Sequence, residues 1–387
     1  MKKKILLIFV LLLLFQTHCY ADSKVNTSEQ VYNNQMNMID TKEIEKFVND
    51  LNNENSGYMP AIDIKQMLNE YKTGKVKFSF KDMLIGIVKY LLNDVLLNTK
   101  LLSKLVVLAV ICAVLQNLEK AFSNDAVSSL AYYACYLVLI IIVVKSFSIA
   151  IDIGKETITK MVDFMTALLP TLMTLIASSS GVTTASILDP IIIISAQIVS
   201  NTIKNLIFPL IFLTSILTIV DNLSETFKIS RMTALLKQAT VWIMGFMLTI
   251  FFGIFTIRGS TGQVIDQVTA KTLKFAVDNF IPVVGKCLSD AVGTIAGYSL
   301  ILKNALSTIG LLVLVSMCIF PLLKIISIII VYKIAGALIE PISDKRIVNC
   351  LNSVGNYLTL IFASVLCVAV MFFIMISIIA STGRYVI

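Results

Sequence analysis

The fold class predicted by this sequence is an all-α, polytopic membrane bundle, and three observations carry the prediction. Of 387 residues, 57% are hydrophobic and only 14% charged, whereas a soluble chain carries about a quarter charged residues. Apolar runs of helix length recur from position 101 to the C-terminus, while polar residues crowd between positions 22 and 81. Lipid offers the backbone no hydrogen-bond partners, so such runs must satisfy their own peptide groups as helices.

The elements follow in order. Residues 1–4 are a positive stretch carrying Lys2, Lys3 and Lys4, residues 5–15 are apolar, and Cys19 and Ala21 place small residues at −3 and −1 of a cleavage site. This predicts an export signal over residues 1–21, cut between Ala21 and Asp22. An uncleaved anchor is the alternative, and either puts Asp22 onward outside the cytoplasm. Residues 22–80 form an extracytoplasmic polar segment, partly disordered, with an Asn- and Ser-rich start. Within it, Asp40 and Glu43 resemble a capping box before Ile44, Phe47, Val48 and Leu51 at helical spacing. A second short helix fits residues 62–71. So few apolar groups hold no core alone, so the segment is expected to dock on something. Residues 81–100 read as an amphipathic interfacial helix, with Met83, Leu84, Ile87, Val88, Leu91, Leu92 and Val95 as its apolar face. A buried ectodomain helix is the alternative.

Residues 101–387 form the transmembrane helical domain. Candidate spans are 101–118, 127–144, 161–177, 187–200, 206–220, 241–257, 280–300, 305–320, 322–338 and 357–380. Several fall short of the ~20 residues a crossing needs. The expectation is 8–10 membrane segments, some broken or re-entrant. Counting inward from Asp22 places Lys228, Arg231, Lys237, Lys345 and Arg346 inside, as the positive-inside rule asks. Arg258, Lys271 and Lys274 would fall outside, against it. A candidate parallel internal repeat pairs 161–257 with 275–380. Pro170 and Pro282, Gly181 and Gly293, and Pro209 and Pro321 each differ by 112 positions, and the tetrapeptides at 207–210 and 319–322 are identical. Shared apolar composition is the competing account.

Polar residues and helix breakers at membrane depth are the candidate site. Asp163, Asp189, Gln197, Lys286, Asp290, Lys303 and Lys324 lie within or beside apolar runs, accompanied by Pro170, Gly181, Pro209, Pro282, Gly293 and Pro321. A charge at the bilayer centre costs about 2.5–3.5 kcal/mol on insertion scales, so it turns toward protein or water. Lys286 and Asp290 stand four apart, on one helix face. Two accounts fit: a polar path through the bundle, or residues seated at helix ends in the interface.

Enzyme chemistry finds no foothold. The sole histidine, His18, lies in the signal, which excludes Ser-His-Asp, Cys-His and HExxH constellations from the mature chain. No phosphate-binding glycine loop occurs, and neither Asp163 nor Asp189 has the Gly-x-Gly-Asp context of an intramembrane protease. Seven cysteines are scattered with no metal-ligand spacing. The net charge of +8 is spread over the ends of apolar runs, without the basic face a nucleic-acid partner would need. No enzyme activity, cofactor or metal is expected.

The segments at 80–82, 115–118, 280–285 and 288–290, with Lys303-Asn304 and residues 341–344, resemble in order and spacing the stage III sporulation protein AE family of endospore-forming bacteria. The likeness runs from about residue 75 to the end. It implies a mother-cell membrane protein around the forespore, working in a multi-protein channel complex required for forespore development. The implied partners are other stage III subunits, including ring-forming proteins and a separate ATPase, together with membrane lipid and further copies of the chain. The alternative from the residues alone is an autonomous secondary transporter for a small solute.

Overall fold

The computed structural model describes residues 42–73, 80–121, 126–179, 182–223, 229–280 and 284–381. The signal peptide, its cleavage point at Ala21 and Asp22, and the positions of Gly181 and Pro282 lie outside the described residues. Helices dominate those that are described. Two short ones, α1 (Lys42–Glu54) and α2 (Ile64–Thr73), precede α3 (Phe80–Leu97). Then come α4 (Thr99–Ala121), α5 (Ala126–Ser178) and α6 (Val182–Thr202), a π-helical turn (Ile203–Ile207) and α7 (Phe208–Leu223). The long α8 (Ser230–Phe280), α9 (Val284–Ile339) and α10 (Lys345–Ser381) complete the bundle.

The apolar runs join into fewer helices than the eight to ten segments expected. Six helical stretches among the described residues are long and apolar enough to cross a membrane. Two of them, Leu130–Ser178 and Gly293–Ile339, have 49 and 47 residues, about 70 Å each at 1.5 Å per residue. The runs merge because their separators are helix formers: Lys155, Glu156 and Lys160 interrupt hydropathy without interrupting hydrogen bonding. Proline does not stop these helices either. Pro170 and Pro321 sit inside α5 and α9. Near Pro209, the π-turn brings the Phe208 N–H back to the Ile203 carbonyl, an adjustment of the kind that accommodates missing proline donors.

Packing is close where side chains are small. α9 and α10 pack as antiparallel neighbours, with Gly336 against Asn352 and Gly355 against Lys333. Gly154 of α5 is buried where α7 and α10 converge. A Cβ there would lie 2.9 Å from the Phe208 ring and 3.2 Å from Val365. Across the bundle Phe147, Phe164, Phe208, Tyr332 and Phe372 are fully buried.

The N-terminal helices dock on this bundle, as their poverty in apolar residues requires. Ile44, Val48 and Leu51 of α1 are buried, Phe47 meets Phe164 edge-on, with ring centroids 5.8 Å apart, and Lys160 of α5 pairs with Glu54 at 2.8 Å. The link between α1 and α2 is held by Asn52, whose side chain exchanges two 2.9 Å hydrogen bonds with the Ile62 backbone. Gly57 turns the chain with φ +88°, a conformation that favours glycine.

α3 lies against this link and against α9. Tyr90 packs edge-on against both Tyr58 and Phe320. Burial, followed by the nearby charge of Asp94, pushes its phenol up to about 12. Met83 and Gly86 turn inward, whereas Leu84, Val88 and Leu92 are exposed, so the apolar face expected of this helix is divided between protein and surroundings. A Cβ on Gly86 would collide with the Tyr58 carbonyl oxygen. Because the obstacle is backbone, Gly86→Ala is expected to displace the link over residues 55–63 at a cost of about 1–3 kcal/mol. Limited proteolysis of the detergent-solubilised protein checks this: cleavage within the link should accelerate roughly tenfold, as 1.4 kcal/mol implies. An unchanged rate would show that the contact is not made.

Candidate functional site

The polar residues singled out from sequence fall in three places. The first is the outer face of α5. Asp163 and Pro170 are exposed there, in line with Asp152, Glu156, Thr159, Thr166 and Thr174 at steps of three and four, the spacing of one helix face. Beside it runs α6, and Lys204 of the π-turn that follows α6 donates from Nζ to Thr159 Oγ1 at 3.2 Å. Gln197 and Asn201 are exposed on α6, and Pro209 is exposed in the first turn of α7. Asp189 falls within α6, but its side chain is outside the described residues.

The second place is α9. Its first turns carry Lys286 and Asp290, whose side chains are likewise outside the described residues. Gly293 and Lys324 are exposed and Pro321 is half-buried. Lys303, by contrast, is 0% exposed. Its Nζ donates to the Ala380 carbonyl at 3.0 Å, among the last carbonyls of α10, where the helix dipole favours a cation. Ser299 and Ser307 lie one turn to either side and are also fully buried. The Ser307 hydroxyl and Asn304 Oδ1 find no partner among the described residues. Among described groups, the structure brings Asp163, Pro170 and Gln197 onto neighbouring helices and leaves Lys324 and Pro321 on another.

The third place was not read from sequence as a unit. At one end of the bundle, Asp344 begins α10 with its carbonyl accepting from the Ile347 N–H. Its carboxylate accepts from Gln116 Nε2 of α4 at 2.6 Å and lies 3.4 Å from Arg346 Nε. Nearby, the Tyr136 hydroxyl of α5 donates to the Ile219 carbonyl of α7 at 3.4 Å. Tyr357 of α10 shares a 2.7 Å hydrogen bond with Thr218, and Lys237 of α8 lies over the Tyr357 ring. Asp221 caps the start of α8 by accepting from the Ile229 N–H at 2.6 Å and the Ser230 hydroxyl at 2.8 Å. Five helices are thus stitched together by polar side chains.

Comparison with known proteins then decides the family. The family model described as stage III sporulation protein AE matches residues 62–383. Over 363 residues, 94% of this chain and 91% of the relative, the sequence is 35% identical to stage III sporulation protein AE of Bacillus subtilis (strain 168). The chain belongs to the stage III sporulation protein AE family. No solved structure matches it.

Membership in the stage III sporulation protein AE family covers all six apolar helices and all three polar places. Two segments that carried the resemblance, 115–118 and 341–344, prove to be partners through Gln116 and Asp344. That contact was hidden by a separation of 228 positions. The tyrosine bonds were also missed, Tyr332 to Ser146 at 2.9 Å included. A usable signal existed, since a tyrosine in an apolar run needs a partner for its hydroxyl. Among the described residues no group of three or more His, Cys, Asp or Glu is placed to hold a metal. The family match and the six apolar helices mark the chain as a membrane component of the sporulation machinery.

Proposed function

We propose that this chain is the membrane-embedded subunit of a channel complex between mother cell and forespore, and that forespore development requires it. The observation that carries this is the family match across residues 62–383, laid over six helices long and apolar enough to cross a membrane. The chain is a multi-pass membrane protein. The finer reading places it in the mother-cell membrane around the forespore, with residues 22–80 outside the cytoplasm after signal cleavage at Ala21 and Asp22. It works there with ring-forming proteins, a separate ATPase and further copies of itself. Lys345 and Arg346 beside Asp344 at the start of α10 support that orientation, because basic residues favour the cytoplasmic side.

The same reading includes a parallel duplication of 161–257 in 275–380. In support, α8 and α10 begin at Ser230 and Lys345, and α8 packs on α6 and α7 as α10 packs on α9.

Deleting the coding sequence in its endospore-forming host tests the role. Development is expected to stop after engulfment and to resume when the wild-type sequence is restored. A deletion strain that forms normal spores would overturn the reading. Solute uptake by the purified protein alone in liposomes would favour an autonomous transporter instead.

A further inference from the structure

The two halves of α5 present opposite chemistry to their surroundings. In the first half the exposed large side chains are apolar apart from Lys145, among them Leu130, Leu137 and Ile141 at 55–69% exposure. From Asp152 to Ser178 no large hydrophobic side chain is exposed at all. What is exposed there is Asp152, Lys155, Glu156, Thr159, Asp163, Thr166, Pro170, Thr174 and Ser178. The hydroxyls alone would be compatible with lipid, since Thr159, Thr166 and Thr174 each bond the carbonyl four residues back. Three carboxylates would not, at about 2.5–3.5 kcal/mol for each at the centre of a bilayer.

An independent ruler places the change. α4 is tied to its neighbours at both ends, through Asn98 to Ser327 at 3.0 Å and through Gln116 to Asp344. Those ties are 18 residues apart, about 27 Å at 1.5 Å per residue and so close to one hydrocarbon thickness of ~30 Å. The Cys112 and Cys135 side chains face each other between α4 and α5. Counting 14 residues back from Cys112 to Asn98, and the same number on from Cys135, sets the outer end of α4 level with Ile149. Ile149 is the last exposed large hydrophobic residue of α5. The slab measured by α4 therefore ends where the outer face of α5 turns polar. The polar N-terminal segment docks beyond that level, at Lys160.

We infer that the outer face of α5 beyond Ile149 lines a water-filled, cation-favouring space and that lipid contacts this helix only on the Leu130 side. Glu156 is paired with Lys160 at 3.1 Å and Lys155 is exposed near Asp152, so the sign along Thr166 and Thr174 is set by Asp163. The inference needs the chain to be a membrane protein but not its role in sporulation, so it stands or falls separately when the full-length protein is expressed in membranes of a non-sporulating host.

Single cysteines at Thr166, Thr174, Leu137 and Ile141 would be challenged with membrane-impermeant methanethiosulfonates, one carrying a quaternary ammonium and one a sulfonate. Labelling is read as the increment over the parent protein. Thr166→Cys and Thr174→Cys are expected to react at least tenfold faster than Leu137→Cys and Ile141→Cys. The cationic reagent should lead the anionic one severalfold at Thr166→Cys, and adding Asp163→Asn should shrink that lead. Equal rates in the two halves of α5 would overturn the aqueous face. Fast labelling with no charge preference would overturn its cation-favouring character.

Discussion

Gly154→Leu is expected to destabilise the bundle by about 3 kcal/mol, at the upper end of the usual cost of overpacking a filled core. The position admits no side chain without movement: the first added carbon already meets Phe208 at 2.9 Å and Val365 at 3.2 Å. Those contacts come from α7 and α10, so three helices must separate to make room. In thermal unfolding of the detergent-solubilised protein, the midpoint should fall by roughly 4 °C. Gly154→Ala should cost less, about 1 kcal/mol, because the Phe208 ring edge can give by a few tenths of an ångström. A leucine tolerated without loss would mean that α5, α7 and α10 do not converge here. In the sporulating host, the same substitution should phenocopy deletion in proportion to the protein lost from the membrane.

Asp344→Ala should cost about 3 kcal/mol, because it removes a carboxylate that accepts from Gln116 and faces Arg346 in a half-buried setting. Asp344→Asn keeps an acceptor for the Gln116 amide and loses only the ion pair, so about 1 kcal/mol is expected. A double-mutant cycle separates the two terms. Gln116→Ala alone should destabilise the protein, yet add little once Asp344 is already alanine. Fully additive losses would show that the pair does not interact, and the link between α4 and the start of α10 would have to be redrawn.

Much of this arrangement was legible in the order of residues. Periodic apolar positions such as Ile44, Val48 and Leu51 named the buried face of α1 before its partner was known. The scarcity of such positions before residue 80 required that segment to dock. The segment count was not legible. Hydropathy reports where charge interrupts grease, but a helix continues through charge as long as its backbone bonds continue, so the segment holding Lys155, Glu156 and Lys160 read as a boundary while the helix ran on. The candidate site was only half visible for a similar reason. Asp163 and Pro170 can be assigned to one helix face by counting turns, but no counting shows which face looks outward. Lys303 and Lys324 look equally out of place in sequence, yet one is sealed against the end of α10 and the other is exposed.

By itself the sequence determined that this protein is helical and lies in a membrane, because those properties depend on local composition and on the need of every peptide group in lipid for a partner along its own helix. It also carried enough ordered residues to mark the family. Only the tertiary structure decided which distant residues meet: Gln116 with Asp344, Glu54 with Lys160, Gly86 with the Tyr58 carbonyl, and Gly154 with Phe208 and Val365. Such pairings depend on how helices cross and in what register. Register is set by the summed fit of many side chains, a collective quantity that no single stretch of chain contains.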